Sequence, residues 1–227
     1  MIKLIIFDLD GVLIDSKHIH FAALNKALKL VDEKYVLSYE EHIGKYDGLT
    51  TFKKLSLLTS EKGLPIDKHD EVWKVKQEET TNLIKSFVSD QRLIKILEKL
   101  SYNFELACCT NSIKSTAYLQ LRGKGIYRFF TTILTNEDVA YPKPHSEIYM
   151  RCMIRHGVNP DETLIVEDSC VGRRSALRSG AHVLPVNNPN EVTLEALENA
   201  IMKINRTEKQ NKKWKSDKLN EIGRAHV

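Results

Sequence analysis

Two carboxylates, Asp8 and Asp10, stand one residue apart where a short apolar run ends, and Gly11 follows them. Carboxylates supply hard oxygen ligands that suit magnesium. A carboxylate can also attack phosphorus and form an aspartyl phosphate, which divides one difficult displacement into two easier ones. Three further polar clusters follow other apolar runs: Thr110-Asn111-Ser112, Lys143 within Tyr141-Pro142-Lys143-Pro144, and Glu167-Asp168-Ser169. A hydroxyl and backbone N–H groups at Thr110 and Asn111 can hold phosphoryl oxygens. Lys143 offers positive charge where a transferring phosphoryl group concentrates negative charge. Each cluster alone is explained by a turn or a helix cap. All four in order, each at the end of a candidate strand, point to metal-assisted chemistry on a phosphorylated compound.

The elements that must position them follow from periodicity. Lys3–Asp8, Phe104–Cys109, Thr132–Leu134, Thr163–Val166 and His182–Val186 are short apolar runs with the length and composition of buried strands. Amphipathic helical patterns at Gln91–Leu100, Ile113–Gly123, Glu147–Arg155 and Gly172–Ser179 lie between most of them. Strand and helix in alternation imply right-handed crossovers and a parallel sheet with helices on both faces, an α/β fold. In such sheets ligands bind beyond the carboxyl ends of the strands, where the four clusters fall. Residues 16–85 break the alternation. They contain only helical patterns: Ile19, Ala23, Ala27 and Val31 on one face with Asp15 or Ser16 as N-cap, then Thr51–Leu58 and Asp70–Lys85. The expected organisation is an α/β core of residues 1–15 and 86–204, a helical insertion at 16–85, and a polar, basic tail at 205–227.

Composition narrows the class. Of 227 residues, 42% are hydrophobic and 28% charged, which is ordinary for a globular protein. No apolar run approaches the roughly 20 residues of a membrane span, and Leu4–Phe7 is too short for a signal peptide. A soluble, cytoplasmic protein is expected. The four cysteines, Cys108, Cys109, Cys152 and Cys170, lack metal-binding spacing and are expected to be buried free thiols. The net charge of +4 lies entirely in residues 206–227, so a basic face for nucleic acid is not expected on the folded part. Residues 221–227, Glu-Ile-Gly-Arg-Ala-His-Val, resemble the translation of a sequencing-adapter read and are left out of the fold reasoning.

Phe7-Asp8-Leu9-Asp10-Gly11-Val12-Leu13-Ile14-Asp15-Ser16 resembles the first signature of the haloacid dehalogenase-like hydrolase superfamily. Thr110-Asn111-Ser112 resembles the second, Lys143-Pro144 the third, and Val166-Glu167-Asp168-Ser169 with Gly172 the fourth. The resemblance is nearest to the branch with a helical cap after the first strand, which includes phosphoglycolate phosphatase-like enzymes and beta-phosphoglucomutase. It implies a Rossmann-like core with 16–85 as cap, and a Mg2+-dependent phosphatase acting on a small phosphorylated metabolite. By position it implies Asp8 as nucleophile and metal ligand. Asp10 becomes general acid/base and offers the metal its backbone carbonyl. Thr110, Asn111 and Lys143 become phosphate-binding residues, Asp168 completes the metal site, and Glu167 acts through a metal-bound water or beside it.

From the cap, His20 and Lys76 are the implied substrate-facing residues. His145-Ser146 stands where the family often has Ala-Pro, which alters a helix start and leaves the lysine in place. Two alternatives stay open: a phosphosugar mutase, and a catalytically silent binding module that kept the fold. The mutase must hold a second phosphate, yet the first arginine in the chain is Arg92, outside the insertion. Phosphonoacetaldehyde hydrolase would need a cap lysine for a Schiff base, and context singles out none of Lys17, Lys53 and Lys54.

Overall fold

The computed structural model describes residues 1–207 and 210. Five parallel strands form one sheet in the order β3-β2-β1-β4-β5. They are β1 (Leu4–Phe7), β2 (Glu105–Cys109), β3 (Thr132–Leu134), β4 (Thr163–Glu167) and β5 (His182–Pro185). The central strand β1 is buried along its whole length, as a parallel strand covered on both faces must be. Its alternate residues divide between two apolar layers. Ile5 and Phe7 pack with Leu93, Leu97, Leu121 and Leu197. Leu4 and Ile6 pack with Tyr149, Cys152 and Ala176.

Those layers name the flanking helices. Outside the insertion these are α4 (Gln91–Ser101), α5 (Lys114–Gly123), α6 (Glu147–His156) and α7 (Cys170–Arg178). The helices α4 and α5, with helical residues 194–207, cover one face, and α6 and α7 cover the other. Register places the chemistry. Phe7 lies opposite Cys108 of β2 and Val166 of β4, so Asp8, Cys109-Thr110 and Glu167-Asp168 leave the sheet side by side.

Between β1 and β2 run α1 (Lys17–Lys29), α2 (Thr51–Lys62) and α3 (His69–Ile84). Leu24, Leu28, Tyr35, Leu55, Leu58, Leu64 and Val72 give these helices an apolar cluster of their own. Thr50 caps α2 by accepting from the Lys53 N–H, and Gly63 ends it in the left-handed region at φ 72°. Among the described residues no helix is long and apolar enough to cross a membrane.

The structure corrects several expectations. Ser16 occupies the N-cap position of α1, but its side chain makes no cap hydrogen bond because it is turned to Asp10. Val31 lies beyond the end of α1. A helical turn at Tyr39–Glu41, capped by Ser38, runs on into a π-helical turn at His42–Tyr46; no apolar period marks it in the sequence. Cys108, Cys109 and Cys152 are buried free thiols, whereas Cys170 is exposed because it opens α7 at the surface. Of the basic tail at 205–227, residues 208, 209 and 211–227, including the 221–227 segment, lie outside the described residues.

Candidate active site

The loop after β1 turns sharply: Gly11 N–H donates to the Ile14 carbonyl at 2.7 Å, and Leu13 N–H to that of Leu9 at 3.0 Å. Gly11 has φ +91°, and a Cβ there would lie 2.1 Å from Asp168 Oδ2, so glycine alone lets this turn pass beneath the β4 loop. Gly172 plays the same part for α7, where a Cβ would stand 1.8 Å from Glu167 Oε1.

At the sheet edge Lys143 Nζ donates to Asp8 Oδ1 at 2.6 Å, to Glu167 Oε1 at 2.7 Å and to the Cys109 carbonyl at 2.8 Å. All three donor positions of the ammonium are thereby used. Glu167 is fully buried and also accepts from the Tyr149 hydroxyl at 2.7 Å and from the Asp168 N–H at 3.0 Å. Burial alone would lower the Lys143 pKa, but Asp8 and Glu167 overcome it and raise it above the usual lysine range. Burial raises the Asp8 carboxyl, Lys143 opposes the rise, and Glu167, Asp168 and Asp10 add to it.

The second carboxylate lies in different surroundings. Asp10 Oδ1 accepts from Ser16 Oγ at 2.5 Å and Gln120 Nε2 at 3.1 Å, and meets His20 Nε2 at 2.9 Å. Asp10 Oδ2 accepts from Ser112 Oγ at 2.6 Å. Burial works against ionisation here, yet His20, Ser112 and Ser16 hold the carboxyl far below its ordinary value. Ser16 and His20 are one turn apart along α1, which is why both reach the same oxygen. With Asp10 ionised, His20 Nε2–H donates to it, leaving Nδ1 to accept from Lys76 Nζ at 3.4 Å. Burial lowers the His20 pKa, and Lys76 and Lys54 lower it further against the pull of Asp10.

Asp8, Glu167 and Asp168 bring one carboxylate oxygen each within 4.8 Å of one another. Among the described residues Asp168 Oδ1 has no hydrogen-bond partner, while Oδ2 pairs with Lys17 Nζ at 2.7 Å. Burial raises Asp168 to about 6, with Lys17 acting against it and Glu167 with it. Three buried carboxylates and an unused oxygen fit a hard divalent cation of the magnesium or calcium kind. The Asp10 side chain, implied as part of that site, is turned to His20, Ser16, Ser112 and Gln120; its backbone carbonyl is the group the resemblance assigned to the metal.

Of the residues expected to bind phosphate, Thr110 is buried and accepts from the Ser112 N–H at 3.0 Å, which leaves its hydroxyl hydrogen to donate. The Asn111 side chain is committed elsewhere. Its Nδ2 donates to the Gly48 carbonyl at 2.8 Å and to that of Lys143 at 3.1 Å, and its Oδ1 accepts from the Lys143 N–H at 3.0 Å. It therefore ties the insertion to the core. Lys17 does likewise, pairing Asp168 with Asp47 at 3.2 Å. A cavity of about 430 Å³ lies between the two regions, with Asp8, Asp10, Thr110 and Lys143 on one side and His20, Lys54 and Lys76 on the other.

Sequence reasoning missed Gln120, Tyr149 and the bridging roles of Lys17 and Asp47. Gln120 and Tyr149 fall on helix faces that the apolar period assigns to the core, so no linear signal separates them from packing residues. Lys17 had one available clue, its place one helical position after the first signature.

Residues 5–186 match the haloacid dehalogenase-like hydrolase family, and the chain belongs to it. It is 28% identical over 198 residues to "Pyrophosphatase PpaX" of Oceanobacillus iheyensis, covering 83% of this chain and 87% of that one. With the "Phosphorylated carbohydrates phosphatase" of Thermotoga maritima it shares 26% identity over 213 residues, 88% of this chain and 93% of the relative. Among solved structures, a beta-phosphoglucomutase from Clostridium difficile superposes with a TM-score of 0.75 at 21% identity, over 89% of this chain and 98% of that one, and so shares the fold.

Proposed function

We propose that the chain is a magnesium-dependent phosphatase that hydrolyses a small phosphorylated metabolite through an aspartyl phosphate on Asp8, with residues 16–85 as its cap. The observation that carries this reading is the different wiring of the two carboxylates: Asp8 is held by Lys143 beside Glu167 and Asp168, while Asp10 is joined to His20. Asp8, Glu167 and Asp168 would hold Mg2+. When bound, it would withdraw charge from the phosphoryl oxygens and let an anionic nucleophile approach an anionic substrate.

In this mechanism an Asp8 oxygen attacks phosphorus as the bond to the substrate oxygen breaks. Thr110 Oγ1 faces the equatorial oxygens, where charge grows, and Lys143 contributes its positive charge beside them. Lys143 also pulls the Asp8 carboxyl toward its ionised form, against the burial that raises it. The departing oxygen takes a proton through Asp10, to which His20 Nε2–H passes its proton as His20 Nδ1 gains one from Lys76 Nζ. Asp10 then stands as the carboxylate that removes a proton from the water attacking the aspartyl phosphate, a state that its depressed pKa favours. The cap limits the entry of water during the first step. The relatives named as a pyrophosphatase and as a phosphatase of phosphorylated carbohydrates support phosphoester or phosphoanhydride hydrolysis.

The test is phosphate release from p-nitrophenyl phosphate by the purified protein with Mg2+. The expected result is activity that chelation removes and that Asp8→Asn reduces by at least ~10³-fold. Activity that survives Asp8→Asn would rule out the nucleophile. A phosphosugar mutase is the second reading. The cap has no arginine for a second phosphate, but the buried Lys54 and Lys76 offer charge in its place. Interconversion of hexose-phosphate isomers with little free phosphate would favour it.

A further inference from the structure

The lining of the cavity is not charged throughout. Leu49, Phe52 and Trp73 of the insertion and Ile113 and Val139 of the core bring apolar surface to it. Trp73, on α3, is half-buried against the apolar cluster of the insertion, which holds the indole in place. Phe52, in the first turn of α2, stacks on it with ring centroids 5.9 Å apart and planes 14° from parallel. Phe52 is nonetheless 53% exposed, so protein does not close the stack.

A ring pair that served packing alone would be covered, because an aromatic side chain stabilises a fold by burying its flat faces. This pair leaves ring surface open at the cavity that holds the reacting carboxylate. Neutral hydrogen-bonding groups line the same cavity unused. Gln77 lies one turn after Trp73 on the same face of α3, and among the described residues its Oε1 is buried without a hydrogen-bond partner. On the core side Thr116 is 2% exposed, and its Oγ1 and the Asn136 Oδ1 are likewise buried and unpaired among the described residues. An open ring stack together with unpaired amides and a hydroxyl is the make-up of sites that take a flat base, its face on an aromatic side chain and its polar edge on hydrogen-bonding groups.

We infer that Phe52 and Trp73 form a stacking platform for the leaving group, so that the substrate joins its phosphate to a flat conjugated ring, as a nucleoside monophosphate or a phosphorylated pyridine does. Dispersion and π contact hold such a ring, and neither asks for charge in this part of the wall. The Gln77 amide offers both an acceptor and donors, which suits the mixed edge of a heteroaromatic ring. Thr116 and Asn136 offer further oxygens from the core side. A cavity of about 430 Å³ is within the range that encloses a small metabolite. The inference deepens the phosphatase reading by naming the leaving group, and rests on it for placing the phosphate at Asp8. Binding of the ring does not depend on turnover.

The test uses the full chain carrying Asp8→Asn, so that nothing is turned over, with Mg2+ present. Calorimetric binding of ribose 5-phosphate is compared with that of AMP, CMP and pyridoxine 5′-phosphate. At least one ring-bearing compound should bind tenfold or more tightly than ribose 5-phosphate, and which one does so separates a nucleobase from a pyridine. Adding Phe52→Ala should remove that difference while leaving the affinity for ribose 5-phosphate unchanged, and Phe52→Tyr should keep most of it. Thermal melting of each variant controls for folding. Equal affinity for all four compounds, tighter binding of ribose 5-phosphate, no binding of any, or a preference that survives Phe52→Ala would overturn the platform. Failure to release phosphate from p-nitrophenyl phosphate, with the binding preference intact, would instead overturn the hydrolytic reading alone.

Discussion

Lys143 at the sheet edge and Lys76 in the helical insertion are buried almost equally, at 5% and 7% exposure, yet their surroundings drive them in opposite directions. Two carboxylates and a carbonyl embrace Lys143 and raise its pKa, while Lys76 has an imidazole for company and is lowered to about 7. The difference separates a cation neutralised by carboxylates from one that, among the described residues, has none within ion-pair distance. At the sheet edge the ammonium is neutralised within the protein. In the insertion the Lys76 ammonium is buried without such a partner among the described residues, at a cost in stability.

The most severe way to break the comparison is to remove the paired cation. Lys143→Met leaves Asp8 and Glu167 buried without compensation. It should cost about 3–5 kcal/mol of stability, measured by denaturant unfolding, and lower kcat on p-nitrophenyl phosphate by at least ~10³-fold. A variant that keeps wild-type stability would show that the triad is not electrostatically coupled.

The same substitution in the cap should have the opposite sign. Lys76 is depressed in the folded state, so the unfolded chain binds more protons between the folded value near 7 and the unfolded value of 10.5. Stability should therefore rise with pH across that window, and the penalty should be complete below pH 7. Lys76→Met should stabilise the protein by ~2–4 kcal/mol at neutral pH, with the gain fading towards pH 10. Melting curves at pH 7 and pH 10 check both sign and window.

Asn111 and Lys17 join the two regions and should give intermediate effects. Asn111→Ala strands the Gly48 and Lys143 carbonyls and should cost ~1–2 kcal/mol, with faster hydrogen exchange around Asp47-Gly48. Lys17→Met removes the cation paired with Asp168 and Asp47. Calorimetric titration with Mg2+ should then show binding tighter by about threefold to tenfold, since the ion no longer competes with an ammonium. The smallest effect belongs to Cys170→Ser, expected within ~0.5 kcal/mol of wild type. In the wild-type native protein a thiol reagent should modify one cysteine among the four, and Cys170→Ser should abolish that reaction.

Much of the core was legible because its signals are local. Strand-length apolar runs ending in Asp8, Thr110 and Glu167-Asp168 fix both a buried parallel strand and the side on which its polar residues emerge. The insertion was legible only as helices. The period of α3 marks Lys76 as a member of a helix, but a lysine among Lys74, Glu78 and Glu79 reads equally well as a solvated face. Its burial follows from the packing of α3 against α1, a contact between segments some fifty residues apart. The His42–Tyr46 turn has no signal of its own, because a single wide turn is set by what packs around it.

By itself, then, the sequence determined the strand order in the chain, the parallel α/β class and the identity of the charged residues at each strand end. These depend on short-range periodicity and on the chirality of crossovers. Tertiary structure decided which charges meet. It gave Lys143 to Asp8 and Glu167, turned Asp10 toward His20, used Asn111 as a tie between two regions, and left Lys54 and Lys76 with no carboxylate in ion-pair contact among the described residues. Partnership of this kind is a property of distance and burial, and neither is written in the spacing of residues along the chain.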